Sequence, residues 1–169
     1  MSAKNRHLKG KTNSVIVDVR AKTVIEAGDL LYALTGDSYY AYPFSTCVDT
    51  TGATQRAATL YATFLGVAME SSPSGVTEKI TVAKSGVFRF PLVQNSAVTV
   101  GAKVSAVSSE AATSGASKDY VAIGTAGTAD PRSSTCYLGY IVKSNTSAVS
   151  YVDFELKAQG GANAQISDS

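Results

Sequence analysis

One short pattern occurs twice in this chain: an aromatic residue, Leu and Gly, then a strand-like stretch that ends in Ser. FLGVAMES occupies residues 64–71, and YLGYIVKS occupies residues 137–144, 73 positions later. The same offset separates the glycine of EAGDLLYA from the glycine of TVGAKVSA. Two features that share one offset favour an internal duplication. Because glycine within strands is typical of sharp bends and of close approach between backbones, we predict four structural glycines: Gly28, Gly66, Gly101 and Gly139.

The composition of the chain and the spacing of its turn residues are typical of a β protein. Val, Thr and Tyr are frequent, and these residues fit pleated, half-buried surfaces. Short apolar runs such as VIVDV, KITVAKSGVFRFPL and AVSYVDFELKA alternate with turn signals, and apolar residues recur at helical spacing in TQRAATLYATF, residues 54–64. We therefore predict a mainly β protein with a β-barrel or sandwich-like body of two related halves, one short helix and an extended N-terminal arm.

Changes in composition suggest the domain boundaries. Residues 1–14 are polar and basic and form the predicted arm. Residues 15–157 form a single β-rich domain, as the length of 169 residues suggests. The duplicated halves are expected near residues 24–92 and 97–157. Residues 158–169, rich in small polar residues, are expected to be a flexible tail.

Positive charge is concentrated at the N-terminus. Six of the fifteen basic residues lie in the first 22 positions, where only Asp18 opposes them, whereas the rest of the chain has nine basic and twelve acidic residues. This distribution indicates either a solvated tail or an arm that docks on an acidic partner. The candidate contact residues are Lys4, Arg6, Lys9, Lys11 and Arg20.

No constellation typical of catalysis appears in the sequence. The single histidine, His7, lies in the arm, whereas a catalytic triad needs an imidazole held on rigid structure. The two cysteines stand alone, so zinc-ligand spacing is missing. Carboxylate pairs of a glycosidase meet only in space, but the acids lie mostly beside turns or on polar strand faces, where solvation explains them. We expect no enzyme activity and no cofactor.

Membrane and nucleic-acid partners are not indicated either. No apolar run approaches the roughly 18 residues of a membrane helix, and VIV before Asp18 is too short for a signal peptide, so we expect an intracellular product. Base stacking needs aromatic residues beside cations. The tyrosine cluster has no cation close by in the sequence, and we expect it to make subunit contacts or to pack at the edge of the core: Tyr39, Tyr40 and Tyr42.

The order of several motifs resembles the capsid decoration proteins of tailed bacteriophages, also called cement proteins. The motifs are EAGDLLY, TQRAATLYATFLGVAMES, ITVAKSGVFRFPL, VGAKVSAV, LGYIVKS and VDFEL, and the likeness covers roughly residues 15–157. The second copy departs from the pattern at Ala102 and Lys103, where the first copy has Asp-Leu. The resemblance implies a non-catalytic β-rich protein on the outer face of an icosahedral head, often trimeric, that holds neighbouring capsid subunits together.

On this resemblance the expected partners are the major capsid protein and further copies of the chain in a homotrimer, with no membrane and no direct nucleic-acid contact. The expected location is the virion surface, after synthesis in the host cytoplasm. The basic residues become candidate capsid contacts, and VIVDV a strand that could add to a neighbouring sheet. Two alternatives stay open: a tail-tube or other virion structural protein, which the short polar loop at residues 107–119 disfavours, and a carbohydrate-binding fibre-type module, which the lack of Trp disfavours.

Overall fold

The described part of this computed structural model comprises residues 6–9, 13–21, 23–33, 40–44, 63–73, 78–107, 120–123 and 138–157. The prediction of a mainly β protein with a barrel is confirmed. Residues 54–62 of the predicted helix lie outside the described residues; at its end Thr63 is helical and Phe64 begins a strand. The strands are β1 (Arg6–Lys9), β2 (Ser14–Val19), β3 (Leu30–Ala33), β4 (Tyr40–Pro43), β5 (Phe64–Ala68), β6 (Glu78–Ala83), β7 (Ser85–Val98), β8 (Lys103–Val107), β9 (Tyr120–Ile123), β10 (Gly139–Ile141) and β11 (Asn145–Lys157).

Strands β2 to β6 close into a barrel in the order β2-β4-β3-β5-β6. Strand β2 runs parallel to β4, and the other neighbours are antiparallel. Alternation along the strands turns every second side chain inward. The resulting interior is a cluster of seven buried apolar residues: Val19, Ile25, Leu31, Ala41, Ala68, Ile80 and Val82.

The second sheet has the order β1-β7-β11-β10-β8-β9, and β9 returns to pair with β7. That return pairing is parallel and joins Leu92 to Val121. Strands β7 and β11 are 14 and 13 residues long. Their pairing is interrupted by two register shifts, between Asn145 and Val149 and between Val149 and Tyr151. These shifts leave several residues of both strands without a partner in the ladder.

The two halves share one topology. Each of the five pairings in the barrel recurs among β7 to β11 with the same direction, including the parallel pair. The registers also agree. The pair Leu31–Gly66 in the first half corresponds to Val104–Gly139, 73 residues later. Strand β11 follows β6 by 72 residues, and β9 follows β4 by 80, so insertions and deletions fall between strands.

The boundary between the halves lies at Lys84, between β6 and β7, and differs from the expected division near residues 92–97. The run KITVAKSGVFRFPL had the pattern of one hairpin-like unit. Its first strand closes the barrel by pairing with β2 and β5, whereas its second strand pairs with β11 and β9 in the other half. A local pattern cannot distinguish these cases, because the partner of a strand is chosen by packing across the whole chain.

The core follows the same symmetry and joins the halves. Each of the seven interior residues of the barrel has a buried counterpart in the second half: Leu92, Val98, Val104, Val121, Ile141, Val152 and Phe154. This second set belongs to a larger cluster that also contains residues of the first half, such as Leu30, Tyr32 and Phe64. Along their strands these residues alternate with those that face the barrel interior. Their side chains therefore lie on the outer face of the barrel, buried against the second half. This larger apolar cluster therefore spans both halves, and the barrel interior is a second cluster beside it.

Candidate functional site

Part of the predicted N-terminal arm is paired with the body. Arg6 and His7 lie opposite Arg89 and Phe88 of β7, in an antiparallel register with an irregularity before Lys9. Within this strand Lys9 is exposed. The segment therefore forms an edge strand and presents at least one cation at the surface. Lys4 and Lys11, the remaining basic candidates of the arm, lie outside the described residues.

Arg20 and Tyr40 form a contact that the sequence did not predict. The guanidinium carbon of exposed Arg20 lies 5.1 Å from the ring centroid of Tyr40, a cation–π distance. No cation is close to these tyrosines in the sequence, but the fold places one over the ring of Tyr40. The parallel pairing of β2 with β4 brings the two residues together across 20 positions of sequence. Half-buried Tyr42 packs against the core, with its ring centroid 6.1 Å from that of Tyr32. Tyr39 lies outside the described residues.

Gly28 and Gly101 occupy equivalent tight turns. Their φ angles are 100° and 85°, in the region that strongly favours glycine. Each donates its N–H to a strand carbonyl, to Ala68 at 2.8 Å and to Ile141 at 2.9 Å.

The serines that end the two octets hold these turns. The Oγ of Ser71 accepts a hydrogen bond from the N–H of Ala27 at 3.0 Å, and the Oγ of Ser144 accepts one from Val100 at 2.8 Å. In each half the serine bonds to the residue just before the turn glycine. The repeated octet thus encodes a strand together with the group that fixes its neighbouring turn.

Gly66 and Gly139 lie where two backbones nearly touch. A Cβ on Gly66 would overlap the carbonyl oxygen of Ala83, and one on Gly139 would overlap that of Glu155. These carbonyls occupy equivalent positions on β6 and β11. Gly66 also has φ 140°. A side chain at either position would push a strand of the sheet away.

An open polar groove lies on the second half, beside the register shifts between β7 and β11. Its volume is about 380 Å³, and Arg89, Lys143 and Tyr151 are among its lining residues. Arg89 forms a bidentate ion pair with Asp153, with N–O distances of 2.6 and 2.8 Å. The hydrogen bonds that Arg89 donates to Asp153 raise the pKa of the guanidinium. Arg89 is therefore held in place by Asp153, a pairing that the sequence did not predict.

One carboxyl group has a perturbed proton affinity. Burial raises the pKa of Asp29 to about 6. A hydrogen bond from the N–H of Glu26 lowers the pKa in part, and the negative charge of Glu26 raises it slightly. The Oδ2 of Asp29 accepts that hydrogen bond at 2.8 Å. The side chain closes the turn that contains Gly28, so its position is explained by the turn.

Within the described ranges, no three His, Cys, Asp or Glu side chains lie together as a metal site would require. The same residues contain no helix of the length and apolarity needed to cross a membrane.

Comparison with known proteins identifies the family. The sequence profile of the phage cement proteins matches residues 43–143, which is more than half of the chain and runs from the end of β4 through β10. The chain belongs to the phage cement protein family. The suspected resemblance to decoration proteins is confirmed, and this cement protein is a structural, decorating component of the phage head. Family membership implies a location on the virion capsid.

Two further comparisons add little. Among curated proteins, none matches the sequence of this cement protein significantly. Among solved structures, the N-terminal base of the head fibre gp8.5 of bacteriophage phi29 is similar, with a TM-score of 0.44 and 16% identity, over 88% of this chain and 98% of that one. A likeness at this TM-score supports no further argument.

Proposed function

We propose that this cement protein binds the outer surface of the phage head, contacts the major capsid protein and bridges neighbouring subunits of the shell. The observation that carries the proposal is the family match over residues 43–143. A bridging protein must keep its shape under load, and the core shared by both halves supports that requirement. Bridging involves no chemical turnover, so we propose that the protein has no catalytic activity and no cofactor.

The cationic N-terminal region is the proposed capsid contact. Lys9 and Arg20 are exposed, and both lie within the basic segment of the sequence. Arg20 is supported by Tyr40, which limits the positions that its side chain explores. Charges of this kind accelerate docking on an acidic surface and select against like-charged ones. We extend the proposal to the basic neighbours in the sequence: Lys4, Arg6 and Lys11.

We further propose that the protein forms a homotrimer on the shell, with no membrane or nucleic-acid partner, after synthesis in the host cytoplasm. The tyrosines are the proposed subunit contacts. Tyr40 is the best placed of them, because it is half-buried at the surface while Tyr42 packs on the core. Because the same contacts recur over a symmetric shell, many individually weak contacts would together give high avidity.

Binding to heads that lack the protein tests the proposal. The purified chain is mixed with such heads, and immunogold labelling with sedimentation measures where and how much it binds. Gold over the heads and an increased resistance of the shell to heat are expected. Gold confined to tails would favour the tube or fibre alternatives, and the absence of particle binding would overturn the proposal.

Charge reversal tests the contact region. Lys9→Glu and Arg20→Glu are expected to weaken head binding about tenfold each and to reduce its salt dependence. Lys143→Glu, an exposed cation in the other half, is the matched control and should bind as the parent does. Equal effects of all three variants would exclude a specific role of the N-terminal cations.

A further inference from the structure

The two halves differ at one sheet edge. In the second half, strand β1 pairs with residues 87–89 of β7, on the edge that β11 leaves open. The equivalent positions in the first half are residues 14–16 of β2. There β2 pairs with β6 along its length, but with β4 only at Asp18 and Val19. Among the described residues, no strand covers residues 14–16 on that side.

The solvent exposure of apolar side chains at this edge also differs between the two halves. Phe88 is only 1% exposed, whereas its counterpart Val15 is 36% exposed. Ile16, the counterpart of Arg89, is 72% exposed, which is the largest value among the big apolar side chains described. The edge segment therefore presents apolar side chains to solvent beside its backbone groups.

The sequence of this edge lacks the usual protection against pairing. Soluble proteins shield open edges with Lys, Pro, bulges or covering segments, because an open edge is a template for another strand. Residues 14–17 read SVIV, with no charge and no proline, and their pairing to β6 runs without a bulge. An unshielded apolar edge is a feature of proteins that receive a strand from a partner.

We propose that residues 14–17 of β2 receive an extended strand of the major capsid protein, antiparallel to β2, in the way that β7 receives β1. The incoming strand would carry apolar residues beside Val15 and Ile16. This inference rests on the proposed function, and it specifies which edge of the molecule the shell protein occupies.

The length of the edge favours the shell over a second copy of the chain. Four residues of strand span about 13 Å, and pairing over that length alone buries far less surface than the roughly 1,200 Å² of a stable dimer. Such a short pairing holds only where it is repeated together with other contacts, as on a shell with many identical subunits. The internal precedent also fits, because β1 is a short segment of 4 residues on the equivalent edge.

Amide hydrogen exchange on the full chain, free and bound to heads that lack it, tests the inference. In the free protein, the amides of residues 14–17 that point away from β6 should exchange rapidly. On heads their exchange should slow at least tenfold. Unchanged exchange of this segment in a chain that does bind heads would overturn the inference and leave the proposed function intact. Failure to bind heads would overturn both.

Substitution provides a second, independent measurement. Ile16→Lys places a charge on the edge and should weaken head binding about tenfold without changing the melting temperature, since Ile16 is exposed. Val100→Lys is the matched control, because Val100 is 56% exposed in the other half, and it should bind normally. Equal binding by both variants would count against the edge. Protection of residues 14–17 in the free chain that grows with concentration would identify a second copy as the occupant and would also overturn the inference.

Discussion

At Gly66 and Gly139 glycine is required for space, with a positive φ as a further reason at Gly66, whereas at Gly28 and Gly101 the positive φ requires it. The first pair lies against a carbonyl oxygen of the neighbouring strand, whereas a Cβ on Gly101 would meet no atom within 4 Å. Both requirements recur with the 73-residue offset, so the sequence pattern located them. Their different causes become visible only when the neighbouring strand is known.

Alanine at two of these positions should separate the two causes. Gly101→Ala retains open space and should lower the free energy of unfolding by roughly 1–2 kcal/mol, the cost of a left-handed residue with a Cβ. Gly139→Ala forces two strands apart and should cost about 3 kcal/mol or more. Urea denaturation of both variants measures the difference. Equal losses would show that the contact with Glu155 relaxes easily.

Asp29 makes the stability of the fold depend on pH. Because its pKa in the folded chain, about 6, exceeds the ordinary value of 3.8, the native state binds the proton more tightly than the unfolded state does. The free energy of unfolding should therefore fall as the pH rises from about 4 to about 6. The stabilisation is fully present below the unfolded pKa and is lost above the folded one.

Asp29→Asn should remove much of this dependence. The amide oxygen can still accept the hydrogen bond from Glu26, but no charge is buried, so the variant should be more stable than the parent at pH 7 by about 1 kcal/mol. Solvent screens the carboxylate of Asp29 in part, which keeps the gain small. Denaturation series from pH 4 to pH 7 for both proteins provide the test. Parallel curves would contradict the assignment to Asp29.

Strands and turns could be predicted from the sequence more readily than their partners. The alternation in VIVDV and VDFEL and the turn glycines indicated the right kind of element at the right place. The pairing of β1 with β7 and the division at Lys84 were not visible, because both depend on which edges remain open after the barrel has closed. The ion pair of Arg89 with Asp153 was missed for the same reason, since it joins strands 64 residues apart.

The repeated turns provide a test at the scale of elements. Ser71→Ala and Ser144→Ala each remove one side-chain acceptor from equivalent backbone N–H groups. Each should lower the free energy of unfolding by about 0.5–1.5 kcal/mol, and the two losses should be similar. Thermal denaturation compares them directly. A loss of stability in only one of the two variants would show that the turns share a geometry but contribute unequally to stability.

The whole molecule should behave as one folding unit although it has two similar halves. Residues of both halves contribute to one buried cluster, so neither half can lose its structure without exposing the other. Calorimetry should show a single transition whose calorimetric and van't Hoff enthalpies agree.

A substitution inside the barrel tests this coupling. Ile80→Val removes one buried methylene and should move the whole transition to lower temperature by a few degrees, at a cost of about 1 kcal/mol. Two resolved transitions, of which only one responds to Ile80→Val, would show that the halves unfold independently.

Because the strands of the two halves correspond residue by residue, each half can serve as the reference for mutations in the other. Each substitution in one copy has a defined counterpart in the other, at an offset of 73, 72 or 80 residues according to the strand. A paired mutational scan would therefore sort positions without any homologous sequence. Damage at both members of a pair would indicate what the architecture demands, and damage at one member alone would indicate what the virion has selected in a single copy.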